Sequence, residues 1–265
     1  MPNAFPTMFS CPNGKQITLG GLYWVVYLVF MPFLVNLFTV FAFSTLGSAA
    51  IGSILSLLID FLIIGAIFRE YLKECWLFAG IHRKDILKAI ATASGIVLAA
   101  EFLIQAGILL FSEAQEFMGG LEWLLMLGLF PPFIDMTGAT FGSIIGAALG
   151  EFMGVFSILC NIFLPALTMS CMYYGVAFAP LAQKRPWLGY IAVLIIGFIV
   201  PFSYYWQSGV WDDCLFHYIS RIPLYLCACW AYQKTDNIWA PIAVHGIVNL
   251  VFMLPALIII IVRMM

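Results

Sequence analysis

The sequence predicts an all-α fold, namely a polytopic transmembrane helical bundle of about seven spans (six to eight) with a cytoplasmic N-terminus. Composition is the first observation behind this prediction. Hydrophobic residues make up 64% of the 265 residues and charged residues only 9%, whereas a typical soluble domain carries roughly 25% charged residues. So few charges cannot cover the surface of a soluble protein of this size. The composition therefore excludes a soluble globular enzyme, a nucleic-acid-binding domain and a disordered chain.

The spacing of the charged residues is the second observation, because the gaps between them divide the chain into spans. The predicted spans cover residues 20–43, 46–68, 87–111, 152–183, 186–211, 214–233 and 237–262. Each stretch reaches the length of about 20 residues that a helix needs to cross a bilayer. The apolar pieces within residues 112–150 are too short for a crossing, so we interpret that region as re-entrant or interfacial.

Basic residues indicate how the bundle is oriented. With seven crossings and the N-terminus inside, nine of the eleven basic residues fall on one side: Lys15, Arg69, Lys73, Arg83, Lys84, Lys88, Lys184, Arg185 and Lys234. The loops on the other side contain acidic residues and neither lysine nor arginine. The excess of positive charge predicts a cytoplasmic N-terminus. We expect a multi-pass protein of the cell membrane, with a bacterial or archaeal inner membrane favoured by the compact size and the lack of a transit peptide.

Ionisable residues inside the predicted spans need a physical reason, because each costs about 2.5–3.5 kcal/mol at the bilayer centre. The candidates are Asp60, Glu101, Glu151, His217, Arg221 and His245. Arg221 is suited to neutralise Glu101 or Asp60 across the bundle, which predicts an intramembrane polar network of these three residues. A role of the same residues in proton or ion passage is the alternative.

His245 and Asn249 form a second polar feature, in the last span. They are four residues apart, so both side chains emerge from one helix face. The pair is suited to donate two hydrogen bonds to one acceptor, such as a carbonyl oxygen that gains negative charge. The alternative is a contact within the helix in which the two side chains satisfy each other.

The segment that contains this pair, WAYQKTDNIWAPIAVHGIVN at residues 230–249, resembles the third signature of the CPBP family. These proteins are CAAX-prenyl-protease-like and bacteriocin-processing intramembrane proteases. Their pattern is a short basic-polar turn, then Ile/Leu-Trp-Ala-Pro-Ile, then His-x3-Asn in one helix. The resemblance extends in architecture over about residues 150–255. It implies three parts: a cytoplasmic segment over 1–18, N-terminal transmembrane helices with the re-entrant region over 19–135, and CPBP-like core helices over 136–265.

The other two family signatures depart from their pattern. Met169 and Ser170 stand where the resemblance implies a Glu-Glu pair, Tyr174 replaces an Arg, and Trp206 replaces the second-signature His. In the family, the carboxylate and that His are thought to activate water, while the third-signature His and Asn steady the oxyanion. The resemblance therefore carries over only His245 and Asn249, as catalytic residues of the oxyanion type. The missing base matters, because general acid–base catalysis contributes about 10²–10⁴-fold to rate.

The resemblance and its departures together predict a degenerate intramembrane peptidase, which binds a hydrophobic or prenylated peptide or scaffolds a membrane partner. Three alternatives stay open: an active endopeptidase with an unusual base such as Glu101 or Glu151, a small transporter or channel that uses Asp60, Glu101 and Arg221, and a bacteriocin self-immunity protein. We expect the lipid bilayer as a partner, and neither a nucleic-acid partner nor a cofactor. We also expect no metal, because the site lacks three protein ligands for zinc.

Overall fold

The computed structural model describes residues 11–27, 47–111, 143–205 and 211–264, and in these ranges the chain is helical with no strand. Helix α1 is described over residues 14–27. The other helices are α2 (Gly47–Ile81), α3 (Arg83–Phe111), α4 (Ser143–Ser170), a π-helical segment (Cys171–Phe178), α5 (Ala179–Ala182), α6 (Pro186–Tyr205), α7 (Trp211–Thr235) and α8 (Trp239–Met264). The all-α prediction is confirmed for the described residues.

Two helical stretches of the described chain are long and apolar enough to cross a membrane, namely Arg83–Ile104 and Ile158–Ala182. Pro186–Val200 and Trp239–Pro255 are shorter apolar stretches. Large apolar side chains also face outward in helical rows, for example Ile191, Ile195 and Ile199 on α6. An outward apolar surface of this kind suits a lipid environment, so the chain has the features of a helical membrane protein.

Several helix bounds differ from the predicted spans. Helix α2 continues to Ile81, past residue 68, because a helix need not end where its first charged residues leave the bilayer. Residues 143–150, which we predicted as part of a re-entrant region, instead form the start of α4. Most of the predicted first span and residues 121–133 lie outside the described residues.

Helix α1 begins at a reciprocal capping arrangement. The backbone N–H of Gln16 donates to Oδ1 of Asn13 (2.9 Å), and the backbone N–H of Asn13 donates to Oε1 of Gln16 (3.0 Å). Such a capping box satisfies backbone donors that have no partner inside the helix. Beyond it, Leu22, Val25 and Val26 point outward, which leaves the opposite face of α1 to pack on the bundle.

The bundle is organised around α8. Helices α3, α7 and α8 pack on one another, α4 packs against both α8 and α2, and α6 packs against α7 and the π-helical segment. Deep in this core the hydroxyls of Tyr71 and Tyr232 lie 2.7 Å apart and share a hydrogen bond. This arrangement brings one face each of α3, α4 and α7 against the helix that carries His245.

Helix α6 approaches α7 closely at Gly197. A Cβ atom at this position would lie 2.5 Å from Cε2 of the Tyr225 ring, and that ring is itself buried. We expect Gly197→Ala to destabilise the protein by about 1–3 kcal/mol, because overpacking forces such a ring from its position. Gly95→Ala is the matched control, since a Cβ atom at that position would have nothing within 4 Å. Thermal unfolding in detergent, followed by circular dichroism, measures both, and equal midpoints would contradict this packing.

Candidate functional site

The turn between α7 and α8 carries the polar part of the signature-like segment. Asp236 follows α7 with a φ of 50°, and its N–H donates to the carbonyl of Tyr232 at 2.8 Å. A residue in the left-handed region commonly ends a helix in this way, and glycine, asparagine and aspartate enter that region most readily. Aspartate therefore fits this position at the end of α7.

This backbone conformation leads to a stability prediction at Asp236. We expect Asp236→Val to lower the free energy of unfolding by about 1–2 kcal/mol, because a β-branched side chain is strained at positive φ. Asp236→Asn is the matched control and should stay close to the native protein. Thermal unfolding of the two variants in the same detergent tests this, and a valine variant as stable as the asparagine variant would refute the strain argument.

Two side chains fasten the start of α8 to α2. The Asn237 amide donates to the carbonyl of Cys75 at 2.7 Å, and the Trp239 indole N–H donates to the carbonyl of Leu72 at 3.0 Å. Oδ1 of Asn237 also accepts the Trp239 backbone N–H at 2.9 Å, which caps the helix. Sequence reasoning missed the two bonds to α2, because nothing in the local spacing indicates the partner helix.

The first turns of α8 place His245 against α4. If the adjacent Gly246 carried a Cβ atom, that atom would lie 3.7 Å from Cβ of Ala166 in α4. One turn further along α8, Nδ2 of Asn249 lies 3.5 Å from the carbonyl oxygen of Ile162. The helices thus run antiparallel in register, with His245 level with Ala166. At 1.5 Å per residue, Ser170 lies about one turn away along α4.

The polar atoms of His245 and Asn249 are weakly engaged. His245 is 8% exposed, and its buried Nδ1 has no hydrogen-bond partner among the described residues. The contact of Asn249 with Ile162 is at the upper limit of a hydrogen bond. Buried polar groups nearly always have a hydrogen-bond partner. Because His245 and Asn249 have few such partners, the pair is a candidate ligand-binding group.

Glu101 and Arg221 supply charges at the junction of α3, α7 and α8. Nη1 of Arg221 lies 3.9 Å from Oε1 of Glu101, and the Glu101 residue is 5% exposed. Both helices that carry these charges, α3 and α7, pack against α8, which carries His245.

Asp60, the third member of the predicted network, lies elsewhere. It accepts a hydrogen bond from the Tyr23 hydroxyl and lines a cavity between α1, α2 and the end of α4. The structure thus separates two polar centres, one with Glu101, Arg221 and His245 and one with Asp60. Tyr23 was missed as a partner, because no local spacing in the sequence links it to Asp60.

The positions of the first family signature lie where α4 passes into the π-helical segment. Ser170 and Tyr174 are buried, and neither hydroxyl has a hydrogen-bond partner in the described part of the chain. Met169 lines the Asp60 cavity. Trp206 and the side chains of Glu151 and His217 lie outside the described residues.

The described residues contain no group of three or more His, Cys, Asp or Glu side chains arranged to hold a metal ion. The imidazole N–H of His245 and the side-chain amide of Asn249 offer hydrogen-bond donors at this face of α8. These groups suit an oxygen that carries partial or full negative charge.

Comparison with known proteins gives one match. The family model described as type II CAAX prenyl endopeptidase, Rce1-like, matches residues 218–251, which span the second half of α7, the turn and the first half of α8. The predicted resemblance to the CPBP family is confirmed by this match. Together with the apolar helices, it supports a CAAX protease-like membrane protein. No curated protein and no solved structure matches the chain.

Proposed function

We propose that this CAAX protease-like membrane protein is a degenerate intramembrane peptidase, which binds a hydrophobic or prenylated peptide through His245 and Asn249 without cleaving it. A multi-pass arrangement in the cell membrane is part of the proposal. Ligands reach such a site from the bilayer, so the bound segment presents apolar side chains to the helices and a backbone carbonyl to the two donors.

The lack of a hydrogen-bonded base at His245 in the described part of the chain is the observation that carries this proposal. Water activation needs a base within hydrogen-bond reach of the water, but Nδ1 of His245 has no hydrogen-bond partner among the described residues. Met169 and Ser170 replace the family's two carboxylates, and the Ser170 hydroxyl has no partner among the described residues to take its proton. Oxyanion-type donors without a base favour binding of a carbonyl over hydrolysis.

One observation favours the active endopeptidase as a second candidate. Glu101 lies on α3, which packs against the helix that carries His245. Its Oε1 atom is 3.9 Å from Nη1 of Arg221. In that case Glu101 is the base, and its carboxylate must leave Arg221 and bind the attacking water instead. Cleavage that is lost in Glu101→Gln but retained in Asp85→Asn, an exposed acidic position on the same helix, would identify this alternative.

The test uses the full chain in lipid nanodiscs and a fluorescent farnesylated CAAX peptide. We expect saturable binding by fluorescence anisotropy and only intact peptide after prolonged incubation. His82→Ala is the matched control for a histidine change, because His82 is exposed in the turn between α2 and α3. Binding that is absent altogether would overturn the proposal, and turnover by the purified protein would replace it with the enzyme.

A further inference from the structure

The cavity that contains Asp60 lies between α1, α2 and the end of α4. Three aromatic side chains from the packed face of α1, those of Tyr23, Trp24 and Tyr27, line it together with Asp60 of α2. The rest of the lining consists of Leu57, Ile64, Thr168, Met169 and Met172. The peptide site at His245 does not use this cavity.

Asp60 is the group in this cavity that needs an explanation. It is 4% exposed, and its one hydrogen bond in the described residues comes from the neutral Tyr23 hydroxyl. A carboxylate inside a bundle is expensive unless an opposite charge or several hydrogen bonds compensate it. A single tyrosine donor leaves most of the acceptor capacity of the carboxylate unused.

None of the basic side chains that the structure describes fills this role. The chain has eleven basic residues. Arg221 pairs with Glu101, and Arg263 lies in the last turn of α8, where the structure does not describe its side chain. The other nine are exposed: Lys15, Arg69, Lys73, Arg83, Lys84, Lys88, Lys184, Arg185 and Lys234. The stretches that the structure does not describe contain no lysine or arginine. An ionised Asp60 therefore takes its counter-charge from outside the described part of the chain.

The lining determines which cation suits the cavity. The faces of tryptophan and tyrosine rings attract cations, and cages of such rings recognise quaternary ammonium groups. Small metal ions such as Ca²⁺ or Mg²⁺ require six or more oxygen ligands, whereas two methionine thioethers and three rings make up most of this wall. A large, weakly hydrated cation is the better match in both charge and surface.

We propose that this cavity binds a quaternary ammonium cation, with Asp60 as its counter-ion and the rings of Tyr23, Trp24 and Tyr27 around its methyl groups. The cation is either a free solute or the choline headgroup of a lipid, because both present the same trimethylammonium group. The hydroxyl of Tyr23 orients the carboxylate, and the ring faces of α1 add their own attraction for the cation.

The experiment measures binding of radiolabelled tetramethylammonium to the full chain in nanodiscs of phosphatidylglycerol. We expect saturable binding that is at least tenfold weaker in Asp60→Asn and in Trp24→Leu, and unchanged in Asp85→Asn, which removes an exposed carboxylate. Competition by choline but not by its neutral isostere 3,3-dimethylbutan-1-ol shows that charge is recognised. Variants are compared only if their thermal unfolding midpoints match that of the native protein. Asp60→Glu is the second variant at this position, because it keeps the negative charge.

Repetition in nanodiscs that contain phosphatidylcholine separates the two sources. Loss of tetramethylammonium binding there assigns the site to the lipid headgroup, and retention assigns it to a free cation. Absence of tetramethylammonium binding in phosphatidylglycerol, or binding that Asp60→Asn and Asp60→Glu leave unchanged, would overturn the proposal. Because the farnesylated peptide is not part of this assay, failure here leaves the proposed peptide binding untouched.

Discussion

Replacement of Arg221 with leucine is expected to lower the free energy of unfolding by about 3 kcal/mol, the lower end of the range for breaking a buried ion pair. The change leaves the Glu101 carboxylate, whose side chain is 7% exposed, without its cation in a low-dielectric interior. We place the effect at the lower end because the side chain of Arg221 is 25% exposed. Reversible unfolding in mixed micelles, followed by circular dichroism, measures the loss.

The double variant Glu101→Leu/Arg221→Leu makes this prediction sharper. Replacement of both members of a buried pair with apolar residues is often neutral or stabilising, so we expect the double variant to be more stable than the single one. Lys88→Leu is the control for loss of an exposed positive charge near the start of α3, and it should change stability by less than about 0.5 kcal/mol. Equal destabilisation of the single and double variants would show that Arg221 acts through packing instead of charge.

The second large effect concerns peptide binding at α8. We expect His245→Ala to weaken binding of the farnesylated peptide at least tenfold, which corresponds to about 1.4 kcal/mol, because it removes a donor from the ligand oxygen. Asn249→Leu should have an effect of similar size. Fluorescence anisotropy in nanodiscs measures both, with His82→Ala as the exposed control.

The combined variant tests whether the two side chains serve one ligand atom. If both donate to the same oxygen, the double variant His245→Ala/Asn249→Leu should lose less binding free energy than the sum of the single losses, since interacting residues are not additive. Fully additive effects would indicate two separate contacts. Unchanged binding in all three variants would remove α8 from the site.

The fold and part of the site follow from local features of the sequence. Apolar stretches between charges predict the helices, and the four-residue spacing of His245 and Asn249 predicts their common face. Because a buried carboxylate needs a partner, the sequence predicted that Arg221 pairs with Glu101 or Asp60. The sequence could not decide between these two carboxylates, because Arg221 lies several helices further along the chain. The structure places Arg221 beside Glu101 and gives Asp60 to Tyr23.

Other features have no sequence signal at all. A π-helical segment at Cys171–Phe178 depends on i→i+5 hydrogen bonds, which share their residue preferences with an ordinary helix. Met169, two residues before this segment, lines the Asp60 cavity, although sequence reasoning considered it only as a changed position of the first family signature. Tertiary contacts of this kind depend on the packing of distant helices.

The most direct test of peptide binding without cleavage is incubation of the purified full chain with a farnesylated CAAX peptide in H₂¹⁸O. Hydrolysis of any kind transfers one ¹⁸O atom from water to the new carboxylate, and mass spectrometry detects it. We expect the peptide to be recovered intact and unlabelled, while anisotropy on the same sample shows it bound. A labelled product that disappears in the His245→Ala variant would contradict the proposed function.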